Sequence, residues 1–111
     1  MKDTNAKPSS KKIHCPVECT LRVIEGRWKV LILYYLLDGT KRFNELQRQL
    51  ADISARTLAR QLRELERDGV INRKVHAQIP PRVDYSLTRL GESLKPVLKA
   101  MHDWGQAYRT R

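Results

Sequence analysis

Between Ser54 and Arg67 the chain carries four arginines, Arg56, Arg60, Arg63 and Arg67, at three- and four-residue intervals. Such spacing places side chains on one side of an α-helix. Leu58, Leu62 and Leu65 recur on the opposite side. One face would therefore bury leucine while the other offers guanidinium groups, whose planar fork grips a guanine edge or a phosphate with two bonds at once. Ser54, Thr57 and Gln61 add short polar side chains near the start of this segment. A helix N-terminus also favours phosphate there. Arg56 and Arg60 are expected at base edges or in a groove, Arg63 on phosphate, and Arg67 beyond reach. The competing reading is a solvated helix whose arginines are neutralised by Glu64 and Glu66. Arg60 and Glu64 do have i,i+4 spacing, although such surface pairs are worth only about 0.2–0.5 kcal/mol.

Cys15 has the most scope for other chemistry. It precedes Pro16 at an expected helix start, with Lys11, Lys12 and His14 beside it in sequence. Such surroundings favour a reactive thiolate, and serine or aspartate would cap a helix better. Cys19 follows four residues later. A disulfide between the two would distort the first helical turn, so a resolving thiol must come from another subunit or a small molecule. His14, Cys15 and Cys19 lack the paired ligand spacing of a structural zinc site, and His76 and His102 stand alone. No metal site and no cofactor are expected. The sequence also has no recognisable nucleophile–base arrangement, glycine-rich phosphate loop or paired carboxylates in a cleft. It does not read as an enzyme, and it names no catalytic residue.

The elements that must position these groups follow from periodicity. Proline fits the first position of a helix, so one should begin near Cys15-Pro16, with Val17, Leu21 and Ile24 on one face and Gly26 at its end. Trp28 to Leu37 is apolar almost all round, as in a helix buried at the centre of a small domain, and Asp38-Gly39 stops it. A short helix from Phe43 to Leu50 should turn Phe43, Leu46 and Leu50 inward. Asp52-Ile53-Ser54 then leads, with Ser54 as N-cap, into the arginine-bearing helix, which ends at Asp68-Gly69. Val83, Tyr85 and Leu87 alternate with Arg82, Asp84 and Ser86, the mark of a half-buried strand. Val70 to Val75 is its expected partner, and Gln78 to Pro81 the tip between them. Arg73, Lys74 and Arg82 put three cations on this hairpin. Thr88 should cap a long last helix running to about Tyr108 and bent by Pro96.

The fold class expected is mainly α with a small β-hairpin: a winged helix-turn-helix with an added N-terminal helix and a long C-terminal one. Residues 1–12 read as a disordered basic tail and 13–111 as one domain, with the arginine-bearing helix over about 54–67, the wing over about 70–87 and the last helix over about 88–108. Leu90, Leu94, Val97, Leu98, Met101, Trp104 and Tyr108 form an apolar stripe along that last helix. So small a domain cannot cover all of it, and the stripe is expected to meet a second copy. The alternative is that it folds back on its own domain. The interface set comprises Val17, Leu21, Leu94, Val97, Leu98, Met101, Trp104 and Tyr108.

Charge points the same way. The 111 residues hold 22 Lys and Arg against 12 Asp and Glu, a net charge of +10 that favours a polyanionic partner. Residues 41–82 carry 10 of the basic and 5 of the acidic side chains, whereas 13–40 sum to zero. Val30 to Leu37, the longest apolar run, is far below the roughly 20 residues of a membrane span. Met1 to Lys12 lacks a signal-peptide core, so no membrane partner and a cytoplasmic location with reduced thiols are expected. An RNA-binding module would need an aromatic stacking surface beside its cations, but Trp28, Phe43 and Tyr85 belong to the expected core. A protein-interaction winged helix would not need outward arginines.

The ordered motifs carry a resemblance. Cys15-Pro16-Val17-Glu18, Gly26-Arg27-Trp28-Lys29 with Leu31-Ile32-Leu33, and Arg42-Phe43-Asn44-Glu45-Leu46 resemble the first part of HxlR-type regulators. So do Ile53-Ser54 to Leu58, Gln61 to Val70, and Pro80-Pro81-Arg82-Val83-Asp84-Tyr85-Ser86-Leu87-Thr88-Arg89-Leu90-Gly91. The resemblance runs from Cys15 to Gly105 in order. It implies a homodimeric winged-helix regulator that binds duplex DNA at near-palindromic operators, as repressor or activator. The expected DNA contacts are Arg42, Asn44, Ser54, Arg56, Thr57, Arg60, Gln61, Arg63, Arg73, Lys74 and Arg82. In several members of that family the cysteine at the position of Cys15 senses oxidants or electrophiles, which makes Cys15 the redox-sensing candidate. Cys19 stands at an unusual place for the motif. The alternatives are a regulator without redox control that responds to a small-molecule inducer, and a non-specific nucleic-acid or protein-interaction winged helix.

Overall fold

Pro16 opens the first helix, as its fixed φ and missing N–H allow. In the computed structural model, which describes residues 15–111, α1 spans Pro16–Ile24, with Cys15 as an extended N-cap whose carbonyl accepts the Glu18 N–H at 2.9 Å. The expected tail at 1–12, and Lys11, Lys12 and His14 beside Cys15, lie outside the described residues. Gly26 turns the chain at φ +81°, a conformation that glycine adopts freely. It leads into α2, Trp28–Leu36, where Ile32, Leu33 and Leu36 are buried at the centre of the molecule.

β1 is only two residues, Lys41–Arg42, and runs directly into α3, Phe43–Leu50. The Arg42 N–H donates to Glu45 Oε1 at 2.7 Å and so closes the first turn of α3. At Ala51 (φ +51°, ψ −66°) the chain turns sharply into α4, Ala55–Arg67. Ser54 caps α4 by accepting the Thr57 N–H on Oγ at 3.1 Å. Leu58, Leu62 and Leu65 of α4 are buried, as their spacing predicts.

After Gly69, β2 (Ile71–His76) and β3 (Arg82–Leu87) form an antiparallel hairpin whose pairs run from Ile71↔Leu87 to His76↔Arg82. β1 adds to the other edge of β3, pairing Lys41 with Tyr85 and Arg42 with Asp84, so the sheet has three strands in the order β1-β3-β2. The expected hairpin therefore gains a strand. Two residues are too few for any alternation to mark it. At the hairpin tip Ile79 is 99% exposed, ahead of a cis peptide to Pro80.

The single long last helix expected from Thr88 is two helices, α5 (Arg89–Glu92) and α6 (Lys95–Arg109). Pro96 explains the break. In a continuous helix its ring would clash with the carbonyl of Glu92, whereas in the first turn of a new helix its missing N–H is harmless. Pro96 thus starts a helix and does not bend one. Thr88 is the N-cap of α5, accepting the Gly91 N–H on Oγ1 at 3.0 Å while that hydroxyl donates to the Gly69 carbonyl at 2.7 Å. Leu98 of α6 is 1% exposed and Leu94 is half-buried against the same core. The stripe folds back on its own domain at these two positions. Leu98 is thereby withdrawn from the expected interface set, because α2 already covers that side of α6.

Candidate nucleic-acid interface

The leucine face of α4 settles where its arginines point. With Leu58, Leu62 and Leu65 inside, Arg56, Arg60, Arg63 and Arg67 are all exposed. Thr57 and Gln61 are half-buried beside them. Ser54 and Thr57 engage one another, the Ser54 hydroxyl donating to Thr57 Oγ1 at 3.0 Å, so both hydroxyls at the helix start are held in place by the cap.

The pairing that would neutralise the arginines does not form. Glu64 turns instead to Lys29 of α2, whose Nζ lies 2.8 Å from Glu64 Oε1 although the lysine residue is only 6% exposed. The hydrogen bond from Lys29 holds the Glu64 carboxyl below its ordinary range. Burial opposes that shift, and the charges of Lys29, Arg67 and Arg60 reinforce it. Arg67 pairs with the adjacent Asp68 at 3.7 Å. Arg56, Arg60 and Arg63 form no ion pair among the described residues. The Lys29–Glu64 tie escaped sequence reasoning, yet it had a signal: one lysine inside an otherwise apolar buried helix requires an acidic partner.

The sheet brings further cations to the same side. Arg63 and Arg73 line one concavity of about 310 Å³ together with Ala59, Leu62, Glu66 and Tyr85. Helix and hairpin therefore meet at a shared groove that both flank with arginine. Arg73 and Lys74 are exposed on β2, opposite Tyr85 and Asp84. Arg82 is half-buried, with its Nε 3.4 Å from Asp84 Oδ1, close enough to pair by charge but without hydrogen-bond geometry. His76, read from sequence as a lone histidine, places Nε2 2.9 Å from Asp84 Oδ2. Asp84 thus ties both strands of the hairpin together. Arg42 on β1 and Asn44 at the start of α3 are exposed.

Away from this face, Cys15 and Cys19 are exposed free thiols. Val17 and Leu21 of α1 and Val97, Met101, Trp104 and Tyr108 of α6 are exposed apolar side chains. Trp104, 69% exposed, stacks on Tyr108 with ring centroids 5.1 Å apart. No helix among the described residues is long and apolar enough to cross a membrane.

The model of the HxlR-like helix-turn-helix family matches residues 23–111. The chain belongs to the HxlR family. The HTH-type transcriptional regulator YdeP of Bacillus subtilis is 56% identical over 97 residues, which cover 87% of this chain and 76% of YdeP. Among solved structures, the redox regulator HypR in its reduced form shares 49% identity at a TM-score of 0.83, covering 86% of this chain and 94% of that one. HypR is also solved in its oxidized form. The reduced form of the transcriptional regulator YodB of B. subtilis shares 36% identity at a TM-score of 0.72, over 83% of this chain and 91% of that one. The three helices α2–α4 with the β2–β3 hairpin are thus the winged helix-turn-helix of an HxlR-type, DNA-binding transcriptional regulator, which is not an enzyme.

Proposed function

We propose that this HxlR-type regulator acts as a homodimer that reads a near-palindromic operator in duplex DNA, with α4 as recognition helix, the β2–β3 hairpin as wing, and Cys15 as a control point for oxidants or electrophiles. The observation that carries the reading is the outward face of α4. Arg56, Arg60 and Arg63 project from a leucine-anchored helix with no acidic partner among the described residues, beside Arg73 of the wing. Arg56 and Arg60, near the start of the helix, would meet base edges, and Arg63, Arg73 and Lys74 phosphates. Ser54, Thr57 and Gln61 frame that end of the helix, and Arg42 and Asn44 would lie along the backbone. Arg82, held to Asp84, would stiffen the wing more than it contacts DNA.

Dimerisation is supported by the apolar set on α1 and α6, which the other described residues leave uncovered. Two subunits would set their recognition helices in successive major grooves about 34–36 Å apart. Control at Cys15 is supported by its exposure and by the relatives: HypR is a redox regulator, and YodB has been solved after diamide treatment.

The test is competition between a selected operator and random duplex across a salt series. Arg56→Ala is expected to weaken operator binding by about 1–3 kcal/mol, roughly 5- to 150-fold, while leaving random-duplex binding nearly unchanged. Arg67→Ala should behave like the parent. Equal loss on both DNAs would reduce Arg56 to a phosphate contact. In the same assay diamide should release the parent from its operator and leave Cys15→Ser bound. An equal response of both proteins would remove Cys15 from the mechanism.

A further inference from the structure

Control at Cys15 leaves Cys19 without a role, and the two thiols form a pair. They stand four residues apart at the start of α1, both exposed and both free. Cys15 is the N-cap, and its side chain makes no cap hydrogen bond. Its carbonyl accepts the Cys19 N–H at 3.4 Å, so the two residues already belong to one helical turn. Regular helical positions four apart hold their Cβ atoms about 5–6 Å from one another, and Cys15, extended at φ −125° and ψ 131°, stands at the edge of that pattern. A disulfide needs about 3.5–4.5 Å between Cβ atoms, closer than regular positions on neighbouring turns allow.

One bridging atom relaxes that demand. With bonds to sulfur of about 2.3 Å, a single atom can join two sulfurs roughly 3.3–4.6 Å apart, within reach of side chains on neighbouring turns. Among the described residues no group of three His, Cys, Asp or Glu side chains gathers here to complete a metal cage. The pair offers two soft sulfurs, both exposed among the described residues. This arrangement suits an element that takes two thiolates and carries its remaining substituent itself, as trivalent arsenic does. At about 100° per residue Cys19 lies roughly 160° around α1 from both Val17 and Leu21. A second copy seated on those apolar residues would lie on the far side of α1 from Cys19.

We propose that Cys15 and Cys19 form a dithiol clamp for trivalent arsenicals within one subunit. With an aryl arsenoxide the arsenic–oxygen double bond and two S–H bonds break. Two As–S bonds form, and the oxygen leaves with both protons as one water. Arsenic remains trivalent, so the step needs no oxidant. The clamp does not rest on oxidative control of Cys15, and diamide sensitivity is read separately.

The test uses the full, reduced chain and phenylarsine oxide in excess glutathione, followed by denaturing mass spectrometry and thiol counting. One phenylarsenic per monomeric chain is expected, with two thiols lost and both recovered on adding dithiothreitol. Closing the ring within one chain should hold arsenic about a hundredfold more tightly than a single thiol does. Cys15→Ser and Cys19→Ser should each lose that retention. Circular dichroism should show both variants folded, since neither side chain is buried. Full retention by Cys19→Ser, or arsenic found only on covalently linked dimers, would overturn the clamp.

Discussion

Replacing Gly91 with alanine is expected to destabilise the protein by about 3 kcal/mol or more, at the upper end of what overpacking costs. The sign is not obvious, because Gly91 lies within the short helix α5, where alanine ordinarily gains about 0.5–1 kcal/mol over glycine. Contact decides against the propensity. A Cβ on Gly91 would sit far inside van der Waals distance of the Val70 carbonyl oxygen, and at 3.2 Å from Leu87 Cδ2. Neither obstacle moves easily. The Val70 carbonyl accepts the Thr88 N–H at 3.1 Å, and Thr88 also holds the Gly69 carbonyl and caps α5. The added methyl must therefore push α5 off the turn between α4 and β2. For a domain of this size the loss corresponds to a fall in melting temperature of roughly 12–24 °C, measurable by calorimetry. A variant that melted at or above the parent would show that α5 does not pack on the Gly69–Val70 turn.

The second large effect concerns Lys29 and Glu64, and its content is an asymmetry. Glu64→Leu strands an almost fully buried ammonium and is expected to cost about 3–5 kcal/mol. Lys29→Met leaves a carboxylate that keeps about a third of its exposure, so water can solvate it and the loss should be only about 1–2 kcal/mol. The double variant, in which apolar groups replace both partners, should recover most of the stability of the parent. Equal costs for the two single variants would mean that the lysine reaches water in solution. The pair also sets a pH dependence. Because the Glu64 carboxyl is held below its ordinary value of 4.5, its contribution is fully present above that value. It is lost as pH falls through the lower folded value. Lys29→Met should flatten this part of the acid unfolding curve. The pair ties α4 to α2 beside the leucine face that turns Arg56, Arg60 and Arg63 outward.

Residues with strong periodicity announced themselves. The leucine and arginine faces of α4, the apolar helix α2 and the alternation in β3 could each be read from local spacing, because burial on one side imposes it. The features that escaped are non-local. β1 consists of Lys41 and Arg42 and exists only because β3 offers a free edge. Lys29 meets Glu64 across 35 positions of sequence, and His76 meets Asp84 only once the hairpin register is set. The division of the apolar stripe was equally hidden. Val97 and Leu98 are adjacent and similarly apolar, yet the face that α6 turns to α2 puts Leu98 in the core and leaves Val97 half-covered at the surface. Pro96 was legible as a disturbance. Whether it bends a helix or starts one depended on where α5 stopped, at Glu92, which no local spacing marks.

In the proposed complex the arginine face of α4 reads the major groove from two subunits at once. The most direct test is methylation interference on a duplex selected by the protein from a random pool, since methyl groups at guanine N7 lie in the major groove where a recognition arginine would bind. Two patches of interference about 10 base pairs apart are expected, both lost in Arg56→Ala. A single patch, or binding indifferent to guanine methylation, would contradict it.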